Sequence, residues 1–400
     1  TKHQGAIKKM NELETILAST SVSCKAPLPN ARAHKCEFTL NIGLFFDGTD
    51  NNKTFHEDED TNTNIARLWH AYSNKPEYGC FRHYVSGVGT PFTEVGEAKA
   101  EAMGGATGAG GEARIVYGLL QVAESIHRFV NGSARFSIPI LAALCSNTRL
   151  SSAHSDYSRE PSAEQKILAQ IGLTQGLVSA GDSTVLGHAI EGERRKFFRA
   201  LDADLRQQVA DKRPNIAAIY LDVFGFSRGA AQARVFTTWL HDLLLTGGQL
   251  FGVPAYVRML GLFDTVASVG VTDALGSYGH GGWATAHNLR IHPEVKNCVH
   301  YVALHEFRAN FPVDGVAQDG KTPPNCQQLY SPGAHSDVGG GYGPGEQGKG
   351  VRMERDMRYD HSPVWKAERD DSLKLSNLPL NQMLEAAKTA SRGHPDPPWI

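Results

Sequence analysis

The sequence predicts an α/β fold: a doubly wound, mostly parallel sheet with helices on both faces. Three observations predict it. Strand-like segments alternate with helical ones along most of the chain. The strongest strand, Ile216–Phe224, is apolar almost throughout and rich in β-branched and aromatic residues, as a strand buried on both faces is. Glycine-containing loops follow the strands, and the carboxyl ends of parallel strands are where such sheets hold their ligands.

Residues 1–36 read as a helical arm (Ala6–Leu17) and a proline-containing linker, with no chemistry of their own. From Phe38 the pattern changes. Phe38, Leu40, Ile42, Leu44 and Phe46 alternate with smaller or polar residues, the period of a strand, which ends in Asp47-Gly48-Thr49-Asp50-Asn51-Asn52. A helix over Thr61–Tyr72 follows, capped by the Thr/Asn cluster before it, then a short strand over Phe81–Val88. Gly104–Gly111 is glycine-rich but lacks a following G-K-[ST], so it reads as a turn or hinge before the helix Glu112–Phe129 and not as a phosphate cradle. Residues 131–190 are less regular and read as an insertion or cap; Glu191–Ala210 is an amphipathic helix. Further strands are expected at Tyr256–Phe263, Cys298–Leu304 and Gln327–Tyr330, and a closing helix at Leu378–Ala390. The chain thus divides into an arm (1–36), a main domain (37–345) and a C-terminal segment (346–400).

Composition narrows the function. A net charge of −2 gives no footprint for nucleic acid or for a polybasic membrane contact. The chain shows no apolar run of membrane-spanning length, and T-K-H-Q-G-A-I-K-K-M lacks the apolar core of a secretory signal. Six cysteines are widely spaced with no C-x-x-C, so no zinc site is expected from them.

Gly225-Phe226-Ser227-Arg228-Gly229 fits G-x-S-x-G, between the strand Ile216–Phe224 and a helical segment Ala230–Leu245. Strand, sharp turn and helix are the context of a nucleophile elbow, in which Ser227 projects clear of the sheet and Gly225 and Gly229 remove side chains that would clash. The sheet is therefore expected to be α/β-hydrolase-like. A serine hydroxyl needs a base, and the base an acid to fix its tautomer. Asp264 ends the next strand and His335 lies in a glycine-rich loop after the last, in the chain order serine, acid, histidine. Asp314 and Glu306 are the rival acids; Asp222, inside the strand, reads as a structural ion or hydrogen-bond partner. The oxyanion hole falls to the backbone N–H of Arg228 and of Gly48 or Thr49. The carboxylate and amide oxygens of D-G-T-D-N-N also suit calcium; otherwise no metal and no cofactor are expected.

Four motifs occur in order: F-F-D-G-T-D-N-N, D-V-F-G-F-S-R-G-A, L-F-D-T-V and G-A-H-S-D-V-G-G-G-Y. This series resembles the α/β-hydrolase domain of the type VI secretion lipase effectors of the first class, from about Phe38 to Tyr342. The resemblance implies a phospholipase of A1 or A2 type with its serine at Ser227, acid at Asp264 and base at His335. It also implies an antibacterial toxin made in the bacterial cytoplasm and injected on a secretion spike. Its substrate would be membrane phospholipid in a target cell's periplasm, and an immunity protein would protect the producer. Three readings compete: an esterase of small soluble esters, phosphoryl transfer on Asp47, and a non-catalytic structural or adhesion module.

Overall fold

The computed structural model describes residues 37–56, 62–99, 110–150, 160–179, 184–211, 215–268, 280–309, 311–342, 351–355, 363–367, 374–393 and 397–400. The expected N-terminal arm, Cys24, Cys36 and most of the glycine run before residue 110 lie outside them. The alternating segment forms β1 (Glu37–Phe46). Leu40, Ile42, Leu44 and Phe46 enter one apolar cluster and Phe45 enters another, so the period-2 pattern is the pleat of a strand covered on both faces. After β1 come α1 (Asn64–Ala71) and β2 (Cys80–Val85). The Thr63 side chain accepts the Ala66 N–H and caps α1, as the Thr/Asn cluster predicts.

Next are α2 (Gly111–Asn131), two short helices α3 (Ile138–Leu144) and α4 (Ala163–Gln170), and the long α5 (Thr184–Asp211). Helix α5 starts well before the expected Glu191, because the less regular sequence ahead of it is already helical. The elbow strand is β3 (Asn215–Phe226) and its helix α6 (Arg228–Leu243). A two-residue β4 (Gln249–Leu250) turns into β5 (Val253–Phe263), followed by β6 (Cys298–Ala303), β7 (Cys326–Ser331) and a single turn, α7 (His335–Gly339). A hairpin of β8 (Val351–Arg355) and β9 (Pro363–Ala367), which the sequence reading did not anticipate, precedes α8 (Asn377–Ala390).

The seven-stranded sheet has the order β2-β1-β3-β5-β6-β7, every pair along it parallel, with β4 antiparallel to β5. Residues of α2 and α6, including Val116, Leu120, Ala231 and Phe236, cover one face. Ile65 and Leu68 of α1 and Met383 of α8 pack with Phe45, Phe224 and Phe263 on the other. This is the doubly wound α/β architecture the sequence predicts. The chain runs from β1 outward to β2 and then back past β1 to β3. The crevice between the carboxyl ends of β1 and β3 is thus the switch point at which such sheets bind ligands. Within the sheet, Asp222 accepts Arg258 Nε at 3.0 Å, Arg258 Nη2 at 2.5 Å and the Tyr72 hydroxyl at 2.9 Å, so its expected role as an ion partner is what the structure shows.

Candidate active site

Ser227 stands at the carboxyl end of β3 with φ 56° and ψ −127°, a region a serine rarely adopts. Neighbours hold it there: its N–H donates to the Phe263 carbonyl at 3.0 Å, and its carbonyl accepts from Val266 N–H at 3.2 Å and Ala230 N–H at 3.0 Å. A Cβ on Gly225 would collide with the Gly229 carbonyl and the Ala230 backbone, and one on Gly229 with the carbonyls of Phe46 and Asp47. Both glycines are therefore demanded by the close packing of strand and helix, as the elbow pattern requires.

Asp264 ends β5 beside Ser227, also at positive φ (40°). One of its oxygens accepts the Ala303 N–H at 2.9 Å; the other lies 2.6 Å from His335 Nδ1, and both side chains are buried. The structure thus brings together Asp264 and His335, 71 residues apart in the chain. Rings on two sides fix the imidazole: Phe226, next to the serine, at 4.6 Å between centroids, and Phe311, edge-on, at 4.9 Å. His335 opens the one-turn α7 instead of lying in an irregular loop, and its backbone N–H donates to Glu306 Oε2 at 3.2 Å.

The rival acids have partners other than the His335 imidazole. Asp314 accepts from Ala267 N–H at 2.9 Å and contacts His280 Nε2 at 2.7 Å. Glu306 receives the backbone and guanidinium of Arg308, which hold its carboxyl down at about 2. His305, beyond the end of β6, exchanges bonds with Gly333 that fasten the segment before His335. Asp337 Oδ2 accepts the Ala334 N–H at 2.8 Å and so ties the turn that carries His335. Burial pushes His300 down to about 3, so it is a neutral acceptor for the Thr265 N–H at 3.1 Å.

The loop after β1 closes the front of the crevice. Gly48 packs on the Phe226 ring so closely that a Cβ would stand 2.7 Å from it. Its N–H donates to Asp47 Oδ1 at 2.8 Å, so that amide, one of the two expected to serve an oxyanion hole, is already bound to a carboxylate. Asp47 also accepts the Thr63 hydroxyl at 2.8 Å and the Tyr84 hydroxyl at 2.5 Å. A calcium ion in this loop would compete with these donors for the same carboxylate. Sequence reasoning missed Arg114. This fully buried residue of α2 donates to the carbonyls of Ser86 (2.7 Å), Thr90 (3.1 Å) and Gly87 (3.2 Å), and pairs with Glu97 at 2.8 Å. The 86–90 segment in turn binds the 48–51 loop through Gly87 N–H to Asn51 O and Asp50 N–H to Val88 O. An arginine within an otherwise apolar helical stretch was the available signal.

A family model described as the T6SS phospholipase effector Tle1-like catalytic domain matches residues 247–386, which include Asp264 and His335 but not Ser227. The crystal structure of an uncharacterized protein from Pseudomonas aeruginosa is similar over 100% of this chain, with 26% identity and a TM-score of 0.65. This chain spans 50% of that protein. The structure of the Tle1 effector bound to the VgrG spike from the type 6 secretion system aligns with 93% of this chain and 78% of its own, at 18% identity and a TM-score of 0.44. No curated protein matches the chain. Residues 247–386 of this chain therefore carry the catalytic-domain signature of the Tle1-like phospholipase effectors of the type VI secretion system.

Proposed function

We propose that this chain is a serine phospholipase of A1 or A2 type that cleaves acyl esters of membrane glycerophospholipids. The observation that carries this reading is the buried His335–Asp264 contact at 2.6 Å, at the same sheet edge as a serine in a strained elbow. In the reaction, His335 Nε2 takes the Ser227 proton as Oγ attacks the ester carbonyl. The N–H groups of Arg228 and Thr49 hold the oxyanion. The lyso-lipid alcohol leaves with the proton from His335, and water activated by the same imidazole cleaves the acyl-enzyme. No step calls on a cofactor. Delivery by type VI secretion on a spike protein, action in a target cell's periplasm and an immunity partner belong to the same proposal. The family description supports the delivery route. Among the described residues no helix is long and apolar enough to cross a membrane.

The test is mass spectrometry of phosphatidylethanolamine–phosphatidylglycerol vesicles after incubation with the wild type and Ser227→Ala. The wild type should release fatty acid and lysophospholipid in equal amounts, and the variant should be slower by on the order of 10⁴-fold or more. Equal release from both would overturn the assignment.

Exposed apolar side chains on the segments around β6 and β7 favour lipid over a small soluble ester. Phe307 is 91% exposed, and Leu304, Val313 and Tyr330 are exposed with it, on segments that follow β6 or lie on β7. The same 304–313 segment sends Phe311 against His335. Burying one such ring is worth about 1.5–3 kcal/mol, or roughly 10- to 100-fold in interfacial binding. Phe307→Ser should therefore lower turnover on vesicles by about tenfold or more and leave a soluble p-nitrophenyl ester unaffected. Equal losses on both substrates would favour the soluble-ester reading.

A further inference from the structure

We propose that His241, His292 and Glu294 form a binding site for a divalent transition metal, with Zn²⁺ the ion that two imidazoles and a carboxylate suit best. His241 lies on the last turn of α6, and His292 and Glu294 on the segment leading into β6. Because α6 starts at the elbow and runs back against β3, this cluster sits at the sheet edge opposite Ser227 and Asp264. The donor atoms of the three residues all lie within 4.8 Å of one another. The two imidazoles stack, with centroids 3.8 Å apart and planes at 15°, and Glu294 Oε2 is 3.9 Å from His241 Nε2.

The second, independent observation is the state of His241. Its side chain is 4% exposed. Nδ1 lies 2.6 Å from the Thr237 carbonyl, which can only accept, so Nδ1 carries the proton and Nε2 presents a bare lone pair. That Nε2 is buried and has no hydrogen-bond partner. A backbone carbonyl gripping one ring nitrogen while the other is left for a ligand is how metal-binding histidines are usually oriented. Among the described residues the His292 ring accepts the Glu294 N–H at 3.3 Å on Nδ1 and stacks on His241, so it reaches a common ion by turning from that stack. Three protein ligands leave one tetrahedral position for water. At the edge away from the chemistry, the ion would clip the end of the elbow helix to the segment entering β6.

The experiment uses the full chain stripped with chelator and then titrated with Zn²⁺ by calorimetry, with Co²⁺ absorption as the geometric readout. Wild type should bind one Zn²⁺ that His292→Gln loses, show tetrahedral Co²⁺ bands, and gain several degrees in melting temperature that the variant does not. Glu294→Gln should weaken binding with ester turnover unchanged, since neither residue touches the proposed catalytic groups. Undiminished Zn²⁺ stoichiometry and melting shift in a His292→Gln/Glu294→Gln double variant, or no Zn²⁺ uptake by the wild type, would overturn the proposal.

Discussion

An Asp264→Asn variant is expected to lose about 10⁴-fold in ester turnover while folding normally. The reason lies in how the carboxylate is divided. One oxygen is committed to the Ala303 N–H and the other faces His335 Nδ1. In the variant the amide oxygen keeps the Ala303 bond, because only an oxygen can accept it. The NH₂ group then faces Nδ1 as a donor. His335 is forced into the tautomer with its proton on Nε2, the nitrogen that accepts the Ser227 proton in the proposed reaction, so the proposed general-base step is lost with little change of shape. The drop should appear in kcat more than in KM, because nothing that touches the substrate has changed. The two rival acids supply the controls. Asp314→Asn removes a partner of His280, and Glu306→Gln a partner of Arg308 and of the His335 backbone, so each should cost far less. A larger loss in Asp314→Asn than in Asp264→Asn would mean the acid has been wrongly assigned.

Which parts were legible in advance follows from what each signal measures. The strands carried a pattern set by local physics: Leu40, Ile42, Leu44 and Phe46 must share one face wherever β1 sits. Ser227 was legible because an elbow imposes local demands, two glycines and a strand-to-helix switch, that leave few alternatives. Asp264 and His335 could be placed only by strand ends and chain order, and Asp314 or Glu306 satisfied much the same criteria. What separates them is a contact spanning 71 residues, which no local pattern encodes. Gly48 shows the opposite failure. Its place after β1 was foreseen, but its N–H turns back to its own neighbour's carboxylate, a choice made by side chains brought in from Thr63 and Tyr84. Arg114 was missed because an arginine inside a helix reads as solvent-facing until the 86–90 carbonyls are known to converge on it. The His241–His292 pair escaped for the same reason: seventeen histidines give no spacing that singles out two residues 51 apart.

The second large effect is on stability. Arg258→Met is expected to destabilise the protein by about 3–5 kcal/mol, read as a lower urea midpoint at unchanged slope. The substitution strands the Asp222 carboxylate in the middle of the sheet, with the Tyr72 hydroxyl as its remaining side-chain partner. Against a typical total of about 5–15 kcal/mol this is a large fraction, and the yield of folded protein should fall with it. Burial disfavours the charge on Arg258, but the adjacent Asp222 more than offsets this and holds the arginine above its ordinary pKa, so the arginine is charged in the intact pair. Arg258 Nη1, however, is buried with no hydrogen-bond partner, so the pair is not fully satisfied even when intact. An Asp222→Leu/Arg258→Met double variant removes both charges and that orphaned donor together. It should recover most of the loss, short of the roughly 1–3 kcal/mol for leaving the Tyr72 hydroxyl unpartnered. A double variant as unstable as the sum of the two single ones would show instead that each side chain acts through its own packing. In that case the ion pair would not be what couples β3 to β5 beneath the elbow.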